Sequence, residues 1–214
     1  MLLFPFEVAS YLVLQLLSYL VYLLNFNKNL LYIAVNKAFN MQTKTDKLLA
    51  VMHVLAWITF IGLMVKGGAF LFSYVITTIN PEAARNLYSG LDFYNLRQYH
   101  FWHYSANLSL LVSLLVLEAY IAFLVVQVLS KIKLTNPFTT EMANLLQRMS
   151  HFILGAWVLA VLYNGHTKWL AKRVDGLEVN LISSEALFLA GVVFIIAQVF
   201  KKGVELQTEN ELTV

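Results

Sequence analysis

"SANLSLLVSLLVLEAYIAFLVVQVLS", residues 105–130, is an apolar run broken by one charged side chain, Glu118. A helix needs about 20 apolar residues to cross the hydrocarbon core of a bilayer, and this run is longer. Lipid offers the backbone no hydrogen-bond partners, and a run without alternation does not suit a barrel strand. The segment therefore reads as a transmembrane helix. Working outward, three more stretches share its character, about 48–72, 150–170 and 182–200. Composition agrees: 59% of the 214 residues are hydrophobic and 13% charged, against roughly 45–50% and about 25% in soluble domains. The expected fold is an all-α integral membrane protein, a four-helix transmembrane bundle plus an extra N-terminal apolar helix.

Charge and cysteine usage exclude several classes. The net charge of +3 is too small to argue for direct nucleic-acid binding, and lysines flanking the apolar runs account for it. There is no cysteine, so no disulfide or thiolate ligand can be built. Lys44, Lys47, Lys131, Lys133, Arg148, Lys201 and Lys202 fall at one set of span ends, Lys66, Arg85, Arg97, Lys168, Lys172 and Arg173 at the other. Three of the first group's clusters sit tightly against span ends, where the positive-inside rule counts most. Residues 41–47, the 131–150 elbow and the C-terminus are thus expected in the cytoplasm.

Residues 1–40 stand apart from the 41–202 four-span domain and the acidic 203–214 tail. "VASYLVLQLLSYLVYLL" (8–24) is apolar and "LLYIAVNKAF" (30–39) amphipathic. Three readings stay open: a fifth span, a helix lying in the interface, or residues upstream of a native start at Met41. The 78–104 loop offers Asn80 as a cap, Pro81 at a first helical position and Gly90 as a stop. Asp92 then caps "FYNLRQYHFWHY" (93–104), whose rings read as an interfacial aromatic belt or as a ligand surface. In "TNPFTTEMANLL" (135–146) the chain breaks at Asn136–Pro137. Thr139 caps the next helix there, with Glu141 in its positive first turn. Ala156 with Ala160, and Ala186 with Ala190, are pairs that let helices approach closely.

Ionisable groups inside spans are the candidates for chemistry. Glu118 lies about 19 Å of helical rise from Lys131, and Lys66 about 28 Å from Lys47; they form a candidate buried ion pair or a proton relay. His53 and His151 fall near one set of span ends, and facing imidazoles of this kind can hold haem. His100, His103 and His166 gather at the other, where they could ligate zinc; His100 and His103 are expected on one helix face at i, i+3. No cofactor is assigned, because the five histidines make no signature spacing. The sequence carries no Gly-rich phosphate loop, paired catalytic carboxylates or serine nucleophile with a basic partner, so no enzyme is expected.

Three segments together have a familiar look: "NPFTTEMANLLQRMS" (136–150), "YNGHTKWLAKR" (163–173) and "FLAGVVFIIAQVFKKGVELQTENELTV" (188–214). From about Met41 to Val214 the chain resembles family 2975 among the domains of unknown function, small bacterial four-span membrane proteins. The resemblance supplies no activity. It implies a neighbouring gene for a small helix-turn-helix regulator, and hence a membrane protein that holds or controls that regulator. Such a regulator carries a basic face for phosphates. Beyond Lys201 and Lys202, the carboxylates of Glu205, Glu209 and Glu211 could occupy that face, with Leu206, Leu212 and Val214 as apolar anchors. The bland alternative is a fraying, solvated terminus. A haem-binding or ion-handling protein using the histidines or Glu118 is the competing class, and a homo-oligomer is compatible with either.

Overall fold

The computed structural model describes residues 44–85, 87, 91–132, 138–177, 180–183 and 185–212, with side chains from Thr45 to Glu209. The 1–40 extension, Gly90, the Asn136–Pro137 break, the side chains of Glu211 and Leu212, and Val214 lie outside them. The described chain is all-helical: α1 (Lys44–Ile79), a 3₁₀ turn (Pro81–Arg85), α2 (Tyr94–Tyr99), α3 (Phe101–Lys131), α4 (Thr140–Ala171) and α5 (Ala186–Leu212). Among the described residues four segments are long and apolar enough to cross a membrane: Thr45–Ile79, Phe101–Lys131, Thr140–Ala171 and Ala186–Glu209. The helices outrun the apolar stretches that predict them. α4 starts at Thr140 rather than near 150, and α5 runs to Leu212 rather than stopping near 200.

Local chemistry sets the ends. Asn80 closes α1 by donating its N–H to the Ile76 carbonyl at 2.8 Å. Its side-chain oxygen accepts from the Glu82 N–H at 3.1 Å, and Pro81 opens the 3₁₀ turn, where its missing N–H costs nothing. Asp92 accepts from the Tyr94 N–H at 2.8 Å just ahead of α2, whose N-cap position is Phe93 rather than Asp92. The Thr139 hydroxyl accepts from the Met142 N–H at 3.2 Å at the head of α4. After α4, Gly176 takes φ +73°, a conformation L side chains avoid. The neighbouring Asp175 carbonyl accepts from Asn95 Nδ2 at 2.9 Å, which ties this turn to α2.

One expectation fails in this region. "FYNLRQYHFWHY" is not one helix, because His100 is extended (φ −164°, ψ 121°). Its N–H closes α2 on the Leu96 carbonyl at 3.1 Å, and its carbonyl opens α3 by accepting from the Tyr104 N–H at 3.1 Å. The aromatic belt also divides. Phe93 and Tyr104 are core residues, whereas Trp102 is 73% exposed.

The chain divides into two compact units. The loop unit comprises the described residues of Ile61–Val116 and Leu159–Ile182; the tail unit comprises 44–60 and the described residues of Leu117–Val158 and Ser183–Val214. A single core fills the loop unit: Phe70, Leu87, Phe93, Leu96, Tyr104, Leu108, Leu115, Leu170, Val174 and Leu177. The tail unit has two smaller clusters, Met142, Leu146 and Ala197, then Ile153, Ala190 and Val193. Its α4 and α5 are also joined where the Ser150 hydroxyl donates to the Ala190 carbonyl at 3.0 Å.

Candidate functional site

In the loop unit three histidines expected to gather do so, although His100 is not helical. The His103 ring lies 5.2 Å from His100 and 5.7 Å from His166, centre to centre. Trp169 lies 5.2 Å from His103 and stacks on His166 at 6.2 Å. The Arg173 guanidinium covers the Trp169 ring at 3.7 Å, a cation–π contact. Chain geometry favours this convergence: His166 and Trp169 are i, i+3 on α4, and His103 sits in the first turn of α3. Among the described residues no group of three His, Asp or Glu side chains is placed to hold a metal ion. The trio is a packed ring cluster in this conformation.

A buried polar seam continues from it, one turn further along α3. The Thr167 hydroxyl donates to Asn107 Oδ1 at 3.2 Å, and both residues are fully buried. Asn107 Nδ2 and His166 Nδ1 are buried with no partner among the described residues, so this seam keeps unspent hydrogen-bonding capacity. Nearby, Thr77 and Tyr104 share a hydrogen bond of 2.7 Å, and the Thr77 hydroxyl also contacts the Tyr74 carbonyl at 2.7 Å. The Tyr74 and Ser105 hydroxyls meet at 3.1 Å. These bonds offset the cost of burying hydroxyls in an apolar core.

Lys66 is exposed on α1 in the loop unit, and Glu118 is half-buried on α3 in the tail unit. His53 is half-buried, its Nε2 accepting from the Trp57 indole N–H at 3.1 Å. His151 is exposed on α4.

At the end of α5 the candidate docking residues lie on a regular helix. Glu205 and Glu209 are exposed one turn apart, and Leu206 is 50% exposed. Glu205 accepts from Lys202 Nζ at 2.9 Å, so one of the expected docking carboxylates already has a partner on its own helix. Lys131 and Glu141 pair across the elbow. Phe138 leans on α5, its ring 5.2 Å from Phe200. A Cβ at Gly203 would stand 2.5 Å from the Phe138 ring, so only glycine admits this approach.

Sequence reasoning missed Asn107, Thr167, Trp169, Arg173, Phe138 and Gly203. A signal existed for some of them. His103 and Asn107 are i, i+4, and His166, Thr167 and Trp169 are adjacent in "GHTKW", so a polar stripe could be traced on each helix. Nothing in the sequence reveals that Phe138 meets Gly203.

No curated protein and no solved structure matches the chain. Residues 75–214 match the family described as Protein of unknown function (DUF2975). The match starts at Val75, inside α1, rather than near Met41, and takes in the rest of the chain including the α5 tail. The segments whose wording suggested the resemblance all fall within it, and the chain belongs to the DUF2975 family.

Proposed function

We propose that this protein acts without catalysis as a bacterial inner-membrane holder of a small helix-turn-helix regulator, docked on a cytoplasmic end of α5. The observation that supports this most is the continuation of α5. It stays helical from Lys202 to Leu212, about 15 Å of rise, and shows Glu205, Leu206 and Glu209 to solvent. A short amphipathic helix with acidic and apolar positions suits the helix-in-groove mode of recognition. A DNA-binding partner supplies the complementary basic face, and the resemblance to the family implies such a partner in the neighbouring gene.

Exposed ion pairs contribute only about 0.2–1 kcal/mol each, and Lys202 competes for Glu205. Leu206, Leu212 and Val214 therefore carry much of the contact in this reading. Deletion of 203–214 should release the regulator from the membrane fraction while the four helices stay inserted. Glu205, Glu209 and Glu211 changed together to glutamine should weaken co-purification, most at low salt, where charges are least screened. A regulator that stays membrane-bound after the deletion rules out the tail as the dock. The orientation has its own test. Cysteines placed singly at Thr43 and Thr208 should resist an impermeant thiol reagent in intact cells, and the reverse would end the cytoplasmic assignment.

A further inference from the structure

α4 has one face that does not suit its surroundings. Asn144, Arg148 and His151, spaced i, i+4 and i+7, are all exposed. The opposite face of the same turns buries Met142, Leu145, Leu146, Ser150 and Ile153. The level of these residues along α5 is fixed by contacts within the tail unit. Met142 and Leu146 pack on Ala197, Ile153 packs on Ala190, and Ser150 bonds to Ala190. His151 thus lies level with Ala190, and Arg148 between that level and the level of Ala197. There α5 exposes Phe194, Ile195 and Ile196, at 42%, 64% and 42%. One side of this cross-section calls for acyl chains, and the other presents a guanidinium, an imidazole and an amide.

We propose that Asn144, Arg148 and His151 form a site for the phosphate of an anionic phospholipid, drawn inward along α4. Arg148 is one pitch above Asn144 and seven residues beyond Glu141, about 10 Å of rise. Glu141 is engaged by Lys131 at the elbow, so it does not neutralise Arg148. A guanidinium fork binds phosphate oxygens in two places at once, and the Asn144 amide and His151 ring add donors below and above it. Charged groups at acyl depth are satisfied by snorkelling and by local inward displacement of headgroups. A headgroup of net negative charge also compensates Arg148, which a zwitterionic headgroup does not. The site belongs to α4 and asks nothing of the α5 tail.

The test uses the purified full chain in neutral detergent, with thermal unfolding as the readout. Phosphatidylglycerol at saturation should raise Tm by about 5 °C, phosphatidylcholine much less, and inorganic phosphate not at all. Arg148→Gln should unfold like the parent without lipid, since the side chain is exposed, and should lose the phosphatidylglycerol shift. Arg148→Lys should keep part of it, and His151→Leu should reduce it. Four results overturn the proposal: a full shift in Arg148→Gln, equal shifts from both lipids, a shift from inorganic phosphate alone, or a dimer that Arg148→Gln dissolves with no lipid shift. The last would make this face an interface between copies.

Discussion

The loop unit and the tail unit are held together in different ways. The largest fully buried side chains of the loop unit include Tyr104, Phe70 and Phe93, and its hydroxyls are bonded inside it. In the tail unit α4 and α5 meet through Ala190, Ala197 and Ser150. α5 turns Phe188, Ile195 and Val199 outward, at 80%, 64% and 57%. The loop unit likewise turns large apolar side chains outward, Phe72, Ile79 and Leu162 at 50%, 56% and 53%. The units differ in what they bury: large rings and bonded hydroxyls in the first, small residues in close fit in the second, the packing expected in lipid, where apolar surface gains little by leaving the solvent. A chain that reads as uniformly greasy thus uses two kinds of cohesion.

Substitutions can break or sharpen that contrast. The largest effect is expected from Tyr104→Ala, which empties the loop-unit core and should cost about 3–5 kcal/mol in unfolding measured in detergent. Ile195→Ala, at an exposed position of α5, should stay within about 0.5 kcal/mol. Equal losses at the two sites would erase the distinction. Next comes fit within the tail unit. Gly203→Val drives its side chain into Phe138 and should cost about 1–3 kcal/mol. Phe138→Ala in the same chain should recover part of that, and strict additivity in the double-mutant cycle would mean the contact carries no energy.

A smaller loss, about 1 kcal/mol, is expected from Tyr104→Phe, which keeps the ring but removes the hydroxyl from Thr77. The same unfolding assay reads it. The smallest effect concerns the rim of the loop unit. There the Glu82 carboxylate accepts from Arg85 Nε at 2.6 Å and from the Tyr94 hydroxyl at 2.9 Å. The Arg85 bond first, then the Tyr94 bond, holds the Glu82 carboxyl below its ordinary value. Because the folded value is the lower one, the contribution is present above the unfolded value and lost as pH falls through the folded one. Melting of Glu82→Gln should therefore match the parent in strong acid and trail it slightly at neutral pH. A constant gap across that range would put the difference outside the ionisation of Glu82.

Much of the fold was legible because lipid imposes a simple rule on composition. The four long runs announced four helices, and Asn80, Pro81, Asp92 and Thr139 announced their boundaries through short-range hydrogen bonds that neighbouring residues can complete. The candidate site was legible only in pieces. Grouping His100, His103 and His166 needed just the side of the membrane each loop occupies. Trp169 and Arg173 escaped notice because an aromatic residue and an arginine near a span end are the common furniture of an interface. The rings of 93–104 divide between core and surface for a related reason: composition does not say which ring of a cluster faces inward.

The sequence by itself determined the solvent, the four long helices and the residues near their ends, since these depend on length, polarity and contacts a few residues apart. Only the tertiary structure decided which side chains are shared between helices. It put Tyr104 and Phe93 in a core, turned His100 out of the helix, joined Asn107 to Thr167, and set Phe138 on Gly203. It also left Arg148 and His151 on an open face of α4. Each of these depends on the rotation of one helix against another. The apolar pattern leaves that rotation open when lipid accepts every face, and close packing selects it.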